Sequence, residues 1–239
     1  MYVRTPFLEF QGIHSVENSQ LNSFGRGREF DEAQATMMKR LCDESVDATQ
    51  NFPSPRIIKT HLPFELLPEK IIDTSKVIYV CRNPKDTCVS YFFHMSDALA
   101  MMYKYEGTFD QYIDLFMDGK LEYGNYFHHL KSAWKRRDHP NMKFVWYEDM
   151  CKDPKKEVTN LATFINHPLS EEKVAELVDH LKFSNMKERA SQKSTAPAKL
   201  LRKGEVGDWK NYFKGDKTKK WDDWISKNLE GSDIEFKFE

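Results

Sequence analysis

Three short stretches of the chain each hand a chemically capable side chain to the end of a β-branched or aromatic run. Arg56-Ile57-Ile58 leads into Lys59-Thr60-His61, Lys76-Val77-Ile78-Tyr79-Val80-Cys81 into Arg82-Asn83-Pro84-Lys85, and Met142-Lys143-Phe144-Val145-Trp146 into Tyr147-Glu148-Asp149. The three endings supply a cation with an imidazole, a guanidinium, and a phenol. An imidazole exchanges its proton near neutral pH, and a guanidinium offers a planar fork that matches phosphate oxygens. Ser90 follows within two turns of Asn83. Its hydroxyl either joins Arg82 on one phosphate or bonds back to its own helix. Far downstream, Arg202-Lys203-Gly204 sets two cations before a glycine. That pattern can offer charge and an unobstructed N–H to an oxyanion, or it is simply a basic turn.

Other chemistries find no support. Cys81 and Cys88 are seven residues apart and no histidine pair has metal-ligand spacing, so no zinc site is expected. His128 and His129 are adjacent, which puts them on different helix faces. There is no G-x-S-x-G elbow and no G-x-x-x-x-G-K-[ST] loop.

The elements that must position these groups are legible from pattern. The runs 56–60, 76–81 and 142–147 read as strands bounded by turn residues. The second is nearly continuously apolar, as expected of a strand covered on both faces. Helical spacing joins Phe109, Tyr112, Ile113 and Phe116; Val158, Leu161, Ala162 and Ile165; and Val174, Leu177, Val178 and Leu181. Phe127, Leu130 and Trp134 indicate one more helix. Asn83-Pro84 and Asp153-Pro154 are N-caps followed by proline at the first helical position, and Asp86 suits the dipole of its first turn. The Ser/Lys/Ala-rich run 190–199 reads as a loop. Strands alternating with helices predict an α/β fold with a mainly parallel central sheet flanked by helices. In such sheets ligands bind beyond the carboxyl ends of the strands, where the three endings lie.

Composition sets the outer bounds. The chain has 239 residues, 40% of them hydrophobic and 13% aromatic, enough for one packed domain over residues 1–239. No apolar run approaches the length of a membrane span, and the N-terminus lacks the pattern of a secretory signal. Cys42, Cys81, Cys88 and Cys151 are too few and scattered for a disulfide framework, which points to the cytoplasm. With 36 Lys+Arg against 37 Asp+Glu the net charge is −1, but residues 182–220 carry 12 Lys+Arg and 4 Asp+Glu, a net +8. That stretch is either a dock for an anionic partner or a solvated basic loop. A pI near 6.7 does not fit a nucleic-acid-binding domain.

Taken together, Arg56 to Pro63, Tyr79 to Asp86 with Ser90-Tyr91, Tyr147 to Met150, and Arg202-Lys203-Gly204 with Gly207 to Lys210 resemble the successive signatures of the cytosolic sulfotransferases. The four blocks stand in the family's order and cover nearly the whole chain. The resemblance implies the family's P-loop-NTPase-like fold and transfer of a sulfuryl group from 3′-phosphoadenosine-5′-phosphosulfate (PAPS) to a hydroxyl or amine. PAPS is the co-substrate, and no metal is implied. By resemblance His61 is the general base, and Lys59 steadies the transferring group. Arg82, Ser90, Arg202, Lys203 and the Gly204 backbone hold the nucleotide's 3′-phosphate. Tyr147 contacts the nucleotide and Phe183 lies beside the adenine. Phe7 and Phe10 either line the acceptor pocket or are ordinary core aromatics. The partners implied are a small hydroxylated acceptor and the nucleotide donor, with no nucleic acid and no membrane.

The departures from the family pattern carry their own expectations. The family's opening strand, lysine-bearing phosphosulfate loop and helix have no counterpart, so the chain is expected to be N-terminally truncated, weakly active or inactive by itself, and prone to aggregate. Lys214-Gly215 and Lys219 replace residues of the family's dimerisation stretch, so the family-type homodimer is not expected. Leu181 and Lys182 replace two small hydroxyl residues before the adenine aromatic. The alternative reading is a catalytically silent module that binds PAPS or its product 3′-phosphoadenosine-5′-phosphate (PAP). A relative that uses sulfation to drive loss of water stays open. So does the acceptor: Met95, Leu99, Met101, Met102, Tyr103 and Tyr105 form either an adaptable apolar wall or an ordinary helix face.

Overall fold

A computed structural model describes residue 51 and residues 53–98, 105–192 and 201–239. The chain divides into two compact units, residues 1–62 with 99–104, and residues 63–98 with 105–239. In the first unit the strand expected over 56–60 reduces to a single β-bridge at Lys59. Ile57 and Ile58 are both exposed, so the run lacks the buried face on which strand propensity depends. The Thr60 hydroxyl accepts the Leu62 N–H at 3.1 Å, a local turn just past His61.

The second unit is built around two parallel strands, β1 (Val77–Cys81) and β2 (Met142–Trp146), paired from Val77↔Met142 to Cys81↔Trp146. Between them run α2 (Pro84–Phe93), α3 (Phe109–Met117) and α4 (Tyr126–Trp134); α1 (Ile71–Thr74) precedes β1. After β2 come α5 (Tyr147–Lys152), α6 (Pro154–Phe164), α7 (Glu171–His180), α8 (Phe183–Gln192) and α9 (Asp216–Leu229). The expected loop at 190–199 is helical as far as Gln192, and its remainder lies outside the described residues.

The caps form as their residue types require. Asn83 Oδ1 accepts the Asp86 N–H at 2.8 Å, with Pro84 in the first turn; Asp153 does the same for Lys156 at 3.0 Å. Thr108 and Gln111 close a capping box on α3. The periodic residues of α3 and α4 face inward: Tyr112, Ile113, Phe116, Phe127 and Leu130 are all buried. On α6 and α7 only Ala162 and Val174 are buried, and Ile165, Leu177 and Leu181 stay exposed.

One core gathers Cys88 and Val89 of α2, the α3 residues, Phe127, Phe213, and Trp221 and Ile225 of α9. Fully burying an aromatic side chain contributes roughly 2–3 kcal/mol, so this cluster anchors α2. One sheet face, with Tyr79, Cys81, Phe144 and Trp146, packs on α4 and on the C-terminal segment through Ile234 and Phe236. On the other face Ile78 and Val80 are exposed, so among the described residues β1 is covered on one side rather than both.

Candidate functional site

The carboxyl end of β1 runs directly into the N-cap of α2, which places Arg82 at the mouth of that helix. Its guanidinium stacks over the Tyr147 ring at 4.3 Å, donates to the Glu205 carbonyl at 2.6 Å and lies 3.4 Å from Asp86. The Tyr126 hydroxyl donates to the Arg82 carbonyl at 2.5 Å. Two elements distant in sequence are thus drawn to the start of α2: the end of β2 with Tyr147, and the turn containing Glu205.

Buried acids hold this arrangement. Glu148 Oε1 accepts both the backbone N–H and the side-chain amide of Asn83, at 2.8 and 2.9 Å. Asp86, 1% exposed, accepts the backbone N–H of Gly207 at 2.8 Å and of Trp209 at 2.9 Å. A buried carboxylate requires such partners, since an unpaired one costs several kcal/mol. Lys85 is buried too: its ammonium lies 4.2 Å from the Trp209 ring and 2.5 Å from Asp222 of α9.

The turn itself carries the basic residues. Arg202 and Lys203 both pair with Asp208, at 2.6 and 2.5 Å, and Asn211 adds a third donor at 2.8 Å. Burial alone would raise the Asp208 carboxyl, but these three partners outweigh it and hold it below the ordinary carboxylate range. The Arg202 guanidinium sits 4.8 Å from the Phe93 ring. Phe93 and Ser90 are three residues apart on α2 and therefore neighbours on its surface. Gly204 has φ of +72°, and a Cβ there would collide with the Phe183 ring, so only glycine lets that ring lie against the backbone. Burial, together with the Cys151 thiol, pushes the Tyr147 phenol up to about 12 despite the opposing charge of Arg82, so it stays protonated at neutral pH.

Arg82, Tyr147, Phe183, Arg202, Lys203 and Gly204 are therefore joined in one contact network within the second unit, with Ser90 exposed on the same helix. Lys59 and His61 belong to the first unit, where Lys59 is exposed and His61 half-buried. Phe7 and Phe10 lie outside the described residues. By residue type and spacing Asp86 is only a helix-dipole residue, and Glu148 and Asp208 have no assigned role. The available signal for Asp208 was an acid within a strongly basic stretch.

Fold and site together define an α/β protein in which a basic turn is tied to the leading edge of a helix beyond a parallel strand, an arrangement suited to a phosphorylated ligand. Residues 1–233 match the family described as the sulfotransferase domain, and the chain belongs to that family. It is 37% identical to mouse sulfotransferase 1B1 over 201 residues, covering 80% of this chain and 67% of that protein. Rat sulfotransferase 1A1 is 34% identical over 251 residues, covering 100% of this chain and 76% of that protein. Among solved structures, retinol dehydratase in a complex with retinol and PAP superposes with a TM-score of 0.87 at 28% identity, covering 98% of this chain and 72% of that one. The protein is thus a transferase of the sulfotransferase class, with the α/β fold expected. No described helix is long and apolar enough to cross a membrane.

Proposed function

We propose that the protein transfers a sulfuryl group from PAPS to the hydroxyl of a small, largely apolar acceptor. The observation that carries this reading is the contact network that joins Arg82, at the start of α2, to the turn bearing Arg202, Lys203 and Gly204, through the Glu205 carbonyl and through Asp86 and the Gly207 and Trp209 amides. The residues present fit an anionic ligand: two guanidiniums and an ammonium outnumber the two buried carboxylates they pair with, Asp86 and Asp208, and Gly204 lets the Phe183 ring lie against its backbone.

In this reading Arg82, Ser90, Arg202, Lys203 and the Gly204 backbone bind the 3′-phosphate, Tyr147 contacts the nucleotide and Phe183 lies beside the adenine. The donor supplies an activated sulfuryl group. His61 takes the proton from the acceptor hydroxyl as its oxygen attacks sulfur in line. The bond from sulfur to the donor's 5′-phosphate oxygen breaks, PAP leaves with that oxygen, and Lys59 balances the charge that develops there. These roles rest on the family's signature blocks. Phe7 and Phe10 would line the acceptor pocket. An apolar alcohol is favoured because the retinol dehydratase structures are complexes with retinol and with androsterone. The free thiols Cys81, Cys88 and Cys151 suit a reducing compartment, and we place the protein in the cytoplasm.

Calorimetry with PAP, beside transfer assays from PAPS to androsterone, to retinol and to a simple phenol, tests this. PAP binding is expected, and whatever turnover occurs on one of the alcohols should fall by about 10²–10⁴ in His61→Asn while PAP still binds. Binding without turnover on any acceptor would indicate a nucleotide-binding module instead. No binding would remove the reading altogether.

A further inference from the structure

The two basic elements of the candidate site, Arg82 and the 202–204 turn, are more than a hundred residues apart in the chain. Beside the direct bond from Arg82 to the Glu205 carbonyl, the Asp86 side chain ties them. Asp86 Oδ2 accepts the Gly207 N–H at 2.8 Å and the Asn83 amide at 3.0 Å, and lies 3.4 Å from Arg82 Nη2; Oδ1 accepts the Trp209 N–H at 2.9 Å. Gly207 reaches this contact with φ of +85°, and Asp208, between the two gripped amides, holds Arg202 and Lys203. An acid serving only the helix dipole needs no such partners 121 and 123 residues away.

We propose that Asp86 is a positioning residue of the donor-nucleotide site: its carboxylate grips both Arg82 and the Gly207–Trp209 backbone, fixing the separation of the two cation groups before nucleotide arrives. The inference rests on the nucleotide reading of the site given above. Asp86 itself touches no ligand; it acts through Arg82 and the turn. An amide in its place keeps one acceptor and turns an NH₂ toward a backbone donor, so Asp86→Asn should loosen the turn without emptying the site of cations. Pre-set geometry lowers the ordering cost of binding.

The test compares PAP with adenosine 5′-phosphate, which lacks the 3′-phosphate, by calorimetry on the full chain. Asp86→Asn should weaken PAP about tenfold or more while changing adenosine 5′-phosphate by less than about threefold, and Asp86→Glu, which keeps two acceptor oxygens, should recover part of the loss. An equal loss for both nucleotides would show a merely structural role and overturn the proposal. Unchanged PAP affinity in Asp86→Asn, beside a clear loss in Arg202→Ala, would overturn it while leaving the site reading intact. No loss in either Arg202→Ala or Arg82→Ala would overturn the site reading and this inference with it. Hydrogen exchange on the unaltered chain gives a check that needs no variant to fold. The Gly207 and Trp209 amides should already be slow before PAP is added. Fast exchange that slows only with PAP would refute pre-assembly.

Discussion

Glu148 and Asn83, 65 residues apart, are joined twice, through the Asn83 backbone N–H at 2.8 Å and its side-chain amide at 2.9 Å. Both are buried, and the pair fastens the first turn of α5, just past β2, to the cap of α2. Glu148 Oε2 has no hydrogen-bond partner among the described residues, so the two bonds at Oε1 hold the side chain. Glu148→Ala leaves two buried donors unmade and should destabilise the fold by about 3 kcal/mol, whereas Glu148→Gln keeps an acceptor and should cost roughly 1 kcal/mol. Urea unfolding of the two variants checks the order, and equal losses would rule it out.

Asp208 predicts how stability responds to acid. Its carboxyl is held below the ordinary range in the folded chain, against burial, by Lys203, Asn211 and Arg202. A depressed folded pKa means the unfolded chain takes up the proton first as pH falls. The contribution is therefore complete above the unfolded carboxylate pKa of about 4 and fades as pH drops through the lower folded value. Asp208→Asn should cost about 1–2 kcal/mol at pH 7, because both cations keep some contact with water. The gap between the two proteins should close below pH of about 4, as read by thermal melts from pH 7 to about 2.5. A gap that stays constant through the acid range would contradict the assignment.

Local chemistry was legible in the sequence where a residue answers to its near neighbours. The Asn83-Pro84 and Asp153-Pro154 caps, β1, β2 and the inward faces of α3 and α4 follow from residue type and period. Contacts that close over long separations left no such trace. The donors to Asp86 lie 121 and 123 residues away and are backbone N–H groups, which any residue but proline supplies. Period also overstated burial: Leu177 and Leu181 keep helical spacing, yet α7 buries only Val174. The segment after α9 has no regular element, yet it places Ile234 and Phe236 against the sheet, because shape rather than pattern recruits them.

Gly204 gives a prediction that couples backbone to ring. Its φ is +72° and a Cβ would overlap the Phe183 side chain, so alanine meets strain and collision together. The conformational cost alone is about 1 kcal/mol. The ring must also move, so Gly204→Ala should weaken PAP by about tenfold or more if Phe183 stands beside the adenine. Phe183→Ala opens the space the methyl needs. The double variant should therefore be less impaired than the sum of the single ones, a coupling that a double-mutant cycle measures.

Tyr147 governs the alkaline end of the stability profile. Burial first, then the Cys151 thiol, raises its phenol to about 12, with Arg82 pulling the other way. The unfolded phenol ionises near the ordinary value of about 10. The folded chain therefore keeps its full stability below pH of about 10 and loses part of it as pH rises toward the folded value. Tyr147→Phe preserves the ring under Arg82, removes the ionisable group and should flatten that alkaline loss, with PAP affinity at pH 7 changed by less than about threefold. Tyr147→Ala removes the stacking surface and should weaken PAP by roughly five- to tenfold at the same pH. If phenylalanine proved as damaging as alanine, the hydroxyl rather than the ring would be the contacting group, and the stacked arrangement with Arg82 would not be what holds the nucleotide.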